Sequence, residues 1–131
     1  MSLFKNKKKK VLVVDDHSLV VDMLCGVLEG VGFNVITANS ASQALHQMHL
    51  YPCDVVLMDV QLPDESGLKL LEKFKKRYAR IPVIMITGMG LDETLIKSAM
   101  DLGATAFLSK GAHLQHILKA INDAADLPKA A

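Results

Sequence analysis

The residues of this chain that are best suited to chemistry each stand at the end of a short apolar run. Three are carboxylates, one is a hydroxyl and one is an ammonium group. They are Asp15 and Asp16 after residues 11–14, Asp59 after 55–58, Thr87 at the end of 82–87, and Lys110 after 104–109. An apolar run bounded by turn residues predicts a buried strand, so these side chains are expected where strands leave the core.

In an open parallel sheet, the carboxyl ends of the strands share the edge at which ligands bind. Three carboxylates gathered there repel one another, and a single lysine does not offset their charge. A divalent cation does, and Mg²⁺ prefers carboxylate oxygens and water as ligands. A carboxylate nucleophile, a Lewis acid, a cation and a hydroxyl are the groups that phosphoryl transfer needs, and Asp59 could carry the group as an aspartyl phosphate.

A bound nucleotide is not the expected phosphoryl donor. The chain lacks Gly-x-x-x-x-Gly-Lys-Ser/Thr, and no Gly-x-Gly-x-x-Gly follows its first apolar run. We therefore expect the group to come from a small phosphate compound or from a donor protein.

The elements that must position these residues alternate between strand and helix. Strands are predicted at 11–14, 33–37, 55–58, 82–87 and 104–109, and helices at 18–29, 40–50, 68–77, 91–102 and 113–125. Asp16 or Ser18 is expected to cap the first helix, and Gly103 to end the fourth. The first helix is expected to direct these side chains inward: Val20, Met23, Leu24, Val27 and Leu28. This order predicts an α/β protein with one doubly wound (βα)5 domain and a parallel five-stranded sheet.

The motifs at the strand ends resemble those of a response-regulator receiver domain of two-component signalling, in the CheY-like superfamily. The resemblance covers nearly the whole chain, from about residue 10 to 127. It rests on Val-Leu-Val-Val-Asp15-Asp16, Asp-Val-Val-Leu-Met-Asp59, Leu62-Pro63 with Gly67, Pro82-Val-Ile-Met-Ile-Thr87, and Gly103-Ala-Thr-Ala-Phe107-Leu-Ser-Lys110. It implies a flavodoxin-like fold with strand order 2-1-3-4-5, for which a receiver protein is one of the standard examples.

Position by position, the resemblance implies a phosphoacceptor site. Asp59 would take a phosphoryl group from a phosphohistidine. Asp15, Asp16, Asp59 and the main-chain carbonyl of Gln61 would bind Mg²⁺. Lys110 would pair first with the acceptor carboxylate and then with the phosphoryl group.

The resemblance also implies a switch. Thr87 would move to hydrogen-bond the new oxygens, and Phe107 would turn inward into the space that Thr87 leaves. Such a local charge event biases a two-state surface, here formed by the fourth helix, the fifth strand and the fifth helix. An output domain or protein would bind that surface. The resemblance also leaves open that phosphorylation promotes a dimer.

Two positions depart from the family pattern. Gly111 follows Lys110 where the family usually has a proline, often with a cis peptide. A cis bond to a non-proline residue costs about 2.5–4 kcal/mol, so we expect a trans bond or a more mobile loop. Ser66 stands where an acid is common. Gln61 and Met89 flank the path of attacking water, and the apolar Met89 is predicted to slow hydrolysis of the phosphoryl group.

Three other functions compete with this interpretation. A metal-dependent phosphatase of the haloacid-dehalogenase type would need an acid two residues after the nucleophile, where this chain has Gln61. A flavodoxin-like cofactor binder would need a phosphate loop where Asp15 and Asp16 stand. A degenerate receiver, acting as a constitutive interaction module, would not need Asp59, Thr87 and Lys110 intact. A receiver catalyses its own phosphorylation and dephosphorylation, but it is not expected to turn over an outside substrate.

The first helix carries apolar residues off its inward face, namely Leu19, Val21 and Cys25. With the active-site loops they are predicted to dock a histidine kinase or a histidine phosphotransfer protein, although incidental exposure of single apolar residues is common. His17 could contact a phosphoryl oxygen or the donor, but a solvated loop residue is the favoured interpretation.

The 131 residues and their net charge of +1 indicate one domain with no particular polyanionic partner. We expect a basic, disordered leader at 1–9, the receiver domain at 10–127 and a tail at 128–131. No apolar stretch has the roughly 18 residues of a membrane span, and Cys25 and Cys53 fit reduced thiols of a cytoplasmic protein. No DNA-binding or catalytic output region is recognisable, which leaves open a stand-alone receiver or part of a longer regulator or hybrid kinase.

Overall fold

Residues 8–126 are described by a computed structural model, in which five strands alternate with five helices. In chain order the elements are β1 Lys10–Val14, α1 Ser18–Gly30, β2 Asn34–Ala38, α2 Ala41–Leu50, β3 Val55–Asp59, α3 Gly67–Arg77, β4 Val83–Thr87, α4 Glu93–Asp101, β5 Ala106–Ser109 and α5 Leu114–Ala125. The predicted leader (apart from residues 8 and 9), Leu127 and the tail lie outside the described residues.

The five strands form one parallel sheet of order β2-β1-β3-β4-β5, which confirms the predicted fold class and strand order. The register pairs Val14 with Met58, and Thr87 with Ser109. The strands thus end at nearly the same level. The residues that follow β1, β3, β4 and β5 are therefore neighbours along one edge.

Alternating strand residues pack against helices on the two faces of the sheet. Leu12 and Val56 belong to one core cluster with residues of α2, α3 and α4, while Val11 and Leu57 belong to the other with residues of α1 and α5. Because both faces are covered, the three inner strands are almost wholly apolar and buried, as in other parallel sheets. This packing holds the strand ends rigidly.

Several local predictions are wrong. The predicted starts of β2, β4 and β5 come one or two residues too early, and α4 is shorter than expected at both ends. Neither Asp16 nor Ser18 caps α1. His17 holds the N-cap position without a side-chain bond. Met23, placed in the core stripe of α1, is 50% exposed. By contrast, Gly103 ends α4 with a φ of 104°, as predicted.

Gly67 begins α3 directly beneath the loop that follows β3. Its N–H donates a hydrogen bond to the carbonyl of Val60, 2.7 Å away. A Cβ atom at this position would overlap the carbonyl oxygen of Asp59 and approach the backbone of Val60 within 2.8 Å. Backbone atoms have little room to yield, so only glycine allows this close contact between the helix and the strand end.

We predict that Gly67→Ala destabilises the fold by about 1–3 kcal/mol or more, because the added methyl overpacks against rigid backbone. Gly26→Ala is the matched control, since nothing lies within 4 Å of a Cβ there. That substitution within α1 should stabilise the protein by about 0.5–1 kcal/mol. Urea unfolding of both variants measures the difference, and equal midpoints for the two would contradict the proposed contact.

Candidate functional site

One ammonium group joins two buried carboxylates at the carboxyl edge of the sheet. Lys110 Nζ lies 2.8 Å from Asp15 Oδ2 and 2.8 Å from Asp59 Oδ2. The side chains of both acids are almost completely buried, and that of Lys110 is only 13% exposed. Burying charges is costly unless they are paired, so this three-residue cluster must be kept together to be tolerated.

Asp15 is positioned by the end of β1 and by the turn that enters α1. Its Oδ1 accepts a hydrogen bond from the backbone N–H of His17 at 2.8 Å, and its own N–H donates to the carbonyl of Ala38. Burial raises the pKa of Asp15, but the contacts with Lys110 and His17 outweigh burial and hold the pKa below its usual 3.8. Asp15 is therefore a fixed anion.

Asp59 is the last residue of β3, and its Oδ1 accepts a hydrogen bond from the N–H of Gln61 at 3.0 Å. Burial raises the pKa of Asp59 above its usual 3.8, and the neighbouring Asp15 adds to the rise. The contacts with Lys110 and Gln61 lower the pKa but do not cancel these effects. The pKa values of Asp15 and Asp59 are thus shifted in opposite directions, and Asp59 has the higher proton affinity.

Lys110 follows β5 and is held by its backbone as well as by its charge. Its N–H donates to the carbonyl of Thr87 at 2.8 Å. Burial lowers the pKa of Lys110, but Asp15 and Asp59 raise it further, so the ammonium stays charged. Among residues 8–126 no peptide bond is cis, which confirms the expected trans bond before Gly111. The N–H of Gly111 donates to Ser109 Oγ at 3.0 Å.

Four potential metal ligands gather at this edge, two of them the carboxylates of the cluster. They are Asp15, Asp16, His17 and Asp59, each offering one atom within 4.8 Å of the others. The buried Asp15 Oδ2 accepts no hydrogen bond of regular geometry from the described residues, although Lys110 Nζ is close. Three carboxylates, one of which carries this Oδ2 atom, form a set of oxygen ligands of the kind that Mg²⁺ prefers. The site therefore suits a hard divalent cation.

Thr87 ends β4 and is 1% exposed. Its Oγ1 accepts a hydrogen bond from the N–H of Met89 at 3.1 Å. Met89 is half exposed, and Gln61 Nε2 lies 3.6 Å from its Sδ atom, so these two side chains are neighbours. Both line an open groove of about 570 Å³ beside the site, together with Asp16 and His17.

Phe107 lies in β5, opposite Met85 of β4. It is partly buried and packs against the core cluster shared by α2, α3 and α4. The residue is therefore close to Thr87 in the sheet while retaining some exposure.

Two contacts of the site were missed by sequence reasoning. Nδ1 of His17, expected to be solvated, lies 2.8 Å from Asp15 Oδ1 and 2.9 Å from Lys110 Nζ, although 60% of the side chain is exposed. The position of His17 directly after the Asp15–Asp16 pair was the one feature of the sequence that could have indicated these contacts. Asp64 accepts hydrogen bonds from the N–H groups of Ala41 and Ser42, which fixes the loop after β3 to the start of α2. Nothing in the local pattern indicated that contact.

The fold and the site together define a flavodoxin-like α/β domain with an acidic, lysine-bearing edge. The family profile described as the response regulator receiver domain matches residues 11–122. The chain belongs to this family, whose members act in two-component signal transduction.

Curated relatives agree with this assignment. A putative NtrX-like response regulator of Rickettsia bellii is 36% identical over 102 residues, which make up 76% of this chain and 21% of that protein. The alkaline phosphatase synthesis transcriptional regulatory protein PhoP of Bacillus subtilis is 33% identical over 103 residues, 78% of this chain and 42% of that one. This chain thus spans less than half the length of either relative.

Solved structures resemble the chain over nearly its full length. A CheY-like receiver domain protein of Methanospirillum hungatei has a TM-score of 0.85 and 30% identity, covering 92% of this chain and 95% of that one. The receiver domain of NtrX from Brucella abortus has a TM-score of 0.84 and 30% identity, and the match covers 90% of this chain and 99% of that one. Within residues 8–126, no helix combines the length and apolar character needed to cross a membrane.

Proposed function

We propose that the chain is the phosphoacceptor domain of a two-component system or phosphorelay, and that Asp59 carries the phosphoryl group. The observation that carries this proposal is the 2.8 Å contact between Lys110 Nζ and Asp59 Oδ2, a buried carboxylate at the open edge of a parallel sheet. Such a carboxylate is a nucleophile whose product can be stabilised by a cation already in place.

In the proposed reaction, a carboxylate oxygen of Asp59 attacks the phosphorus of a phosphohistidine. A phosphorus–oxygen bond forms, the phosphorus–nitrogen bond breaks, and the donor imidazole takes up a proton. Lys110 keeps its charge throughout and pairs with the phosphoryl oxygens of the product. Since catalysis of this transfer is mostly positioning and charge neutralisation, the residues at the strand ends are sufficient protein machinery.

Asp15, Asp16, Asp59 and the main-chain carbonyl of Gln61 are the proposed Mg²⁺ ligands. When bound, the ion would supply Lewis-acid neutralisation of the phosphoryl oxygens. The anionic state of Asp15, maintained by its contacts with Lys110 and His17, supports this role. A phosphatase of the haloacid-dehalogenase type is not favoured, because Gln61 provides no acid two residues after Asp59.

The proposed switch uses Thr87 and Phe107. To reach a phosphoryl oxygen, the Thr87 hydroxyl would give up its contact with the N–H of Met89. Phe107, which is partly buried, would fill the space that Thr87 leaves. The altered surface of α4, β5 and α5 is the proposed binding site for an output domain or protein, because phosphorylation acts as a local charge change that biases a bistable surface.

The proposed donor is a histidine kinase or a histidine phosphotransfer protein that docks on α1. Leu19 is 83% exposed, and Met23, one turn further along, is 50% exposed. Val21 and Cys25 are half-buried, and Val21 packs on the core, so the accessible apolar patch is formed by Leu19 and Met23. We place this exchange in the cytoplasm, where thiols such as that of Cys53 stay reduced.

Incubation with acetyl phosphate and Mg²⁺ should add one phosphoryl group to the chain, detected as a mass increase of the intact protein. Asp59→Asn should abolish the addition because the nucleophile is lost, and EDTA should suppress it because the carboxylates then repel the incoming phosphate. Phosphorylation of the Asp59→Asn variant, or none in the native chain, would refute the proposal.

Substitution of Met89 tests the lifetime of the product. Met89 lies against Gln61 beside Asp59, and its side chain presents an apolar surface to attacking water. We expect Met89→Glu and Met89→Lys to shorten the half-life of the phosphorylated state, because a charged side chain orders water there. Release of inorganic phosphate from the purified phosphoprotein measures the rate, with Met100→Glu on α4 as the control. Unchanged half-lives would count against the role of Met89.

Leu19→Glu tests the docking surface with little expected cost to folding, since the side chain is largely exposed. It should slow phosphorylation by a phosphohistidine donor protein that is active on the native chain. Phosphorylation by acetyl phosphate should keep its native rate, because the small donor does not contact α1. Equal slowing with both donors would place the defect in the reacting site and exclude the docking role.

A further inference from the structure

The imidazole of His17 lies within the group of metal ligands rather than beside it. Its Nδ1 atom is 2.8 Å from Asp15 Oδ1, 3.5 Å from Asp16 Oδ1 and 3.7 Å from Asp59 Oδ2. The same atom is 2.9 Å from Lys110 Nζ. All the carboxylates of the proposed Mg²⁺ site are thus neighbours of a single nitrogen that the proposed function does not use as a ligand.

No protonation state of this nitrogen satisfies both of its shortest contacts. A protonated Nδ1 can donate to Asp15 Oδ1, but it then has no lone pair to accept from the donor-only ammonium of Lys110. A deprotonated Nδ1 can accept from Lys110, but it then offers no hydrogen to the carboxylate oxygen of Asp15. Replacement of the ammonium by a metal ion would remove the conflict, because both the nitrogen lone pair and the carboxylate oxygen can be ligands.

A cation already occupies the point of convergence. Lys110 Nζ lies within 2.9 Å of Asp15 Oδ2, Asp59 Oδ2 and His17 Nδ1, so two carboxylate oxygens and one imidazole nitrogen surround a single positive charge. A buried oxygen of Asp15 takes part without a regular hydrogen bond from the described residues. The ammonium therefore marks the point on which these three side chains converge.

The distances between ligand atoms also suit one ion. Two ligands that each lie about 2.1 Å from an ion are about 3.0 Å apart at a right angle and about 4.2 Å apart when opposite. The separations from His17 Nδ1 to the three carboxylates, 2.8, 3.5 and 3.7 Å, fall close to that range. Only a small closure of the group, whose ligand atoms lie within 4.8 Å of one another, is required.

We propose that His17 Nδ1 is an additional ligand at this site, and that the site therefore also binds borderline transition-metal cations, of the class of Ni²⁺, Co²⁺ and Zn²⁺. The proposal rests on the metal site of the proposed function and adds a nitrogen ligand to its oxygens. Imidazole favours these cations, whereas Mg²⁺ prefers oxygen. Such a cation would compete with Lys110 for His17 and with Mg²⁺ for the carboxylates.

Ni²⁺ and Mg²⁺ are the two probes for the test, each titrated alone into the native chain by calorimetry at one fixed pH. We expect one Ni²⁺ site that binds more tightly than Mg²⁺. His17→Ala should weaken Ni²⁺ binding at least about tenfold, since it removes the nitrogen ligand. The same variant should change Mg²⁺ affinity by less than about threefold, because Mg²⁺ takes oxygen ligands.

Control variants separate this site from surface histidines. His46→Ala removes an exposed imidazole of α2 and should leave the tight Ni²⁺ site unchanged. Zn²⁺, which is diamagnetic, should shift the ¹⁵N resonance of His17 Nδ1 in the native chain, a change that a purely structural role would not produce. His17→Gln, which retains a polar side chain, should behave as His17→Ala toward Ni²⁺.

Metal-binding measurements distinguish a wrong assignment of His17 from the absence of the metal site. If Asp15→Asn abolishes Ni²⁺ binding while His17→Ala leaves it unchanged, the metal site stands and the assignment of His17 is overturned. An unshifted His17 Nδ1 resonance at saturating Zn²⁺ overturns it as well. If Mg²⁺ does not bind the native chain, the metal site of the proposed function fails.

Discussion

The charge balance at the carboxyl edge of the sheet is the constraint on which the site depends. Asp15 and Asp59 are buried, and a single ammonium, that of Lys110, lies 2.8 Å from both. Removing it would leave two like charges uncompensated in a place that water barely reaches, and breaking a buried pair typically costs about 3–5 kcal/mol. The same excess of negative charge makes the site receptive to a further cation, since that ion would offset the repulsion among the carboxylates.

The parallel sheet makes this concentration of charge possible. Each strand ends at the same edge, and the helices on both faces keep the strand ends from separating to relieve repulsion. Close backbone packing adds to the rigidity, with Gly67 against the end of β3 and Asp64 bound to the start of α2. A frame that holds like charges together keeps their repulsion in place until a bound cation offsets it.

Predictions from the sequence succeeded where one periodicity or one residue type was decisive. The apolar runs before Asp15 and Asp59 predicted buried strands, which the structure has there, and Gly103 is at the left-handed position that ends α4. Predictions failed where a contact joined distant segments. Met23 fits a core stripe by spacing, but the width of the buried face depends on what packs against α1. His17 had no local partner other than the Asp pair, because its second contact, Lys110, is 93 residues away.

The sequence by itself determined the order of strands and helices and the chemical types at the strand ends, because hydrophobic period and turn residues act locally. It also determined that carboxylates, a hydroxyl and a lysine would meet, since parallel strands bring their carboxyl ends together. Only the tertiary structure decided how they meet: that Lys110 bridges Asp15 and Asp59, that their proton affinities differ, and that the imidazole of His17 lies among the ligands. The reason is physical, since burial, distance and charge at one point arise from segments that the chain brings together only when it folds.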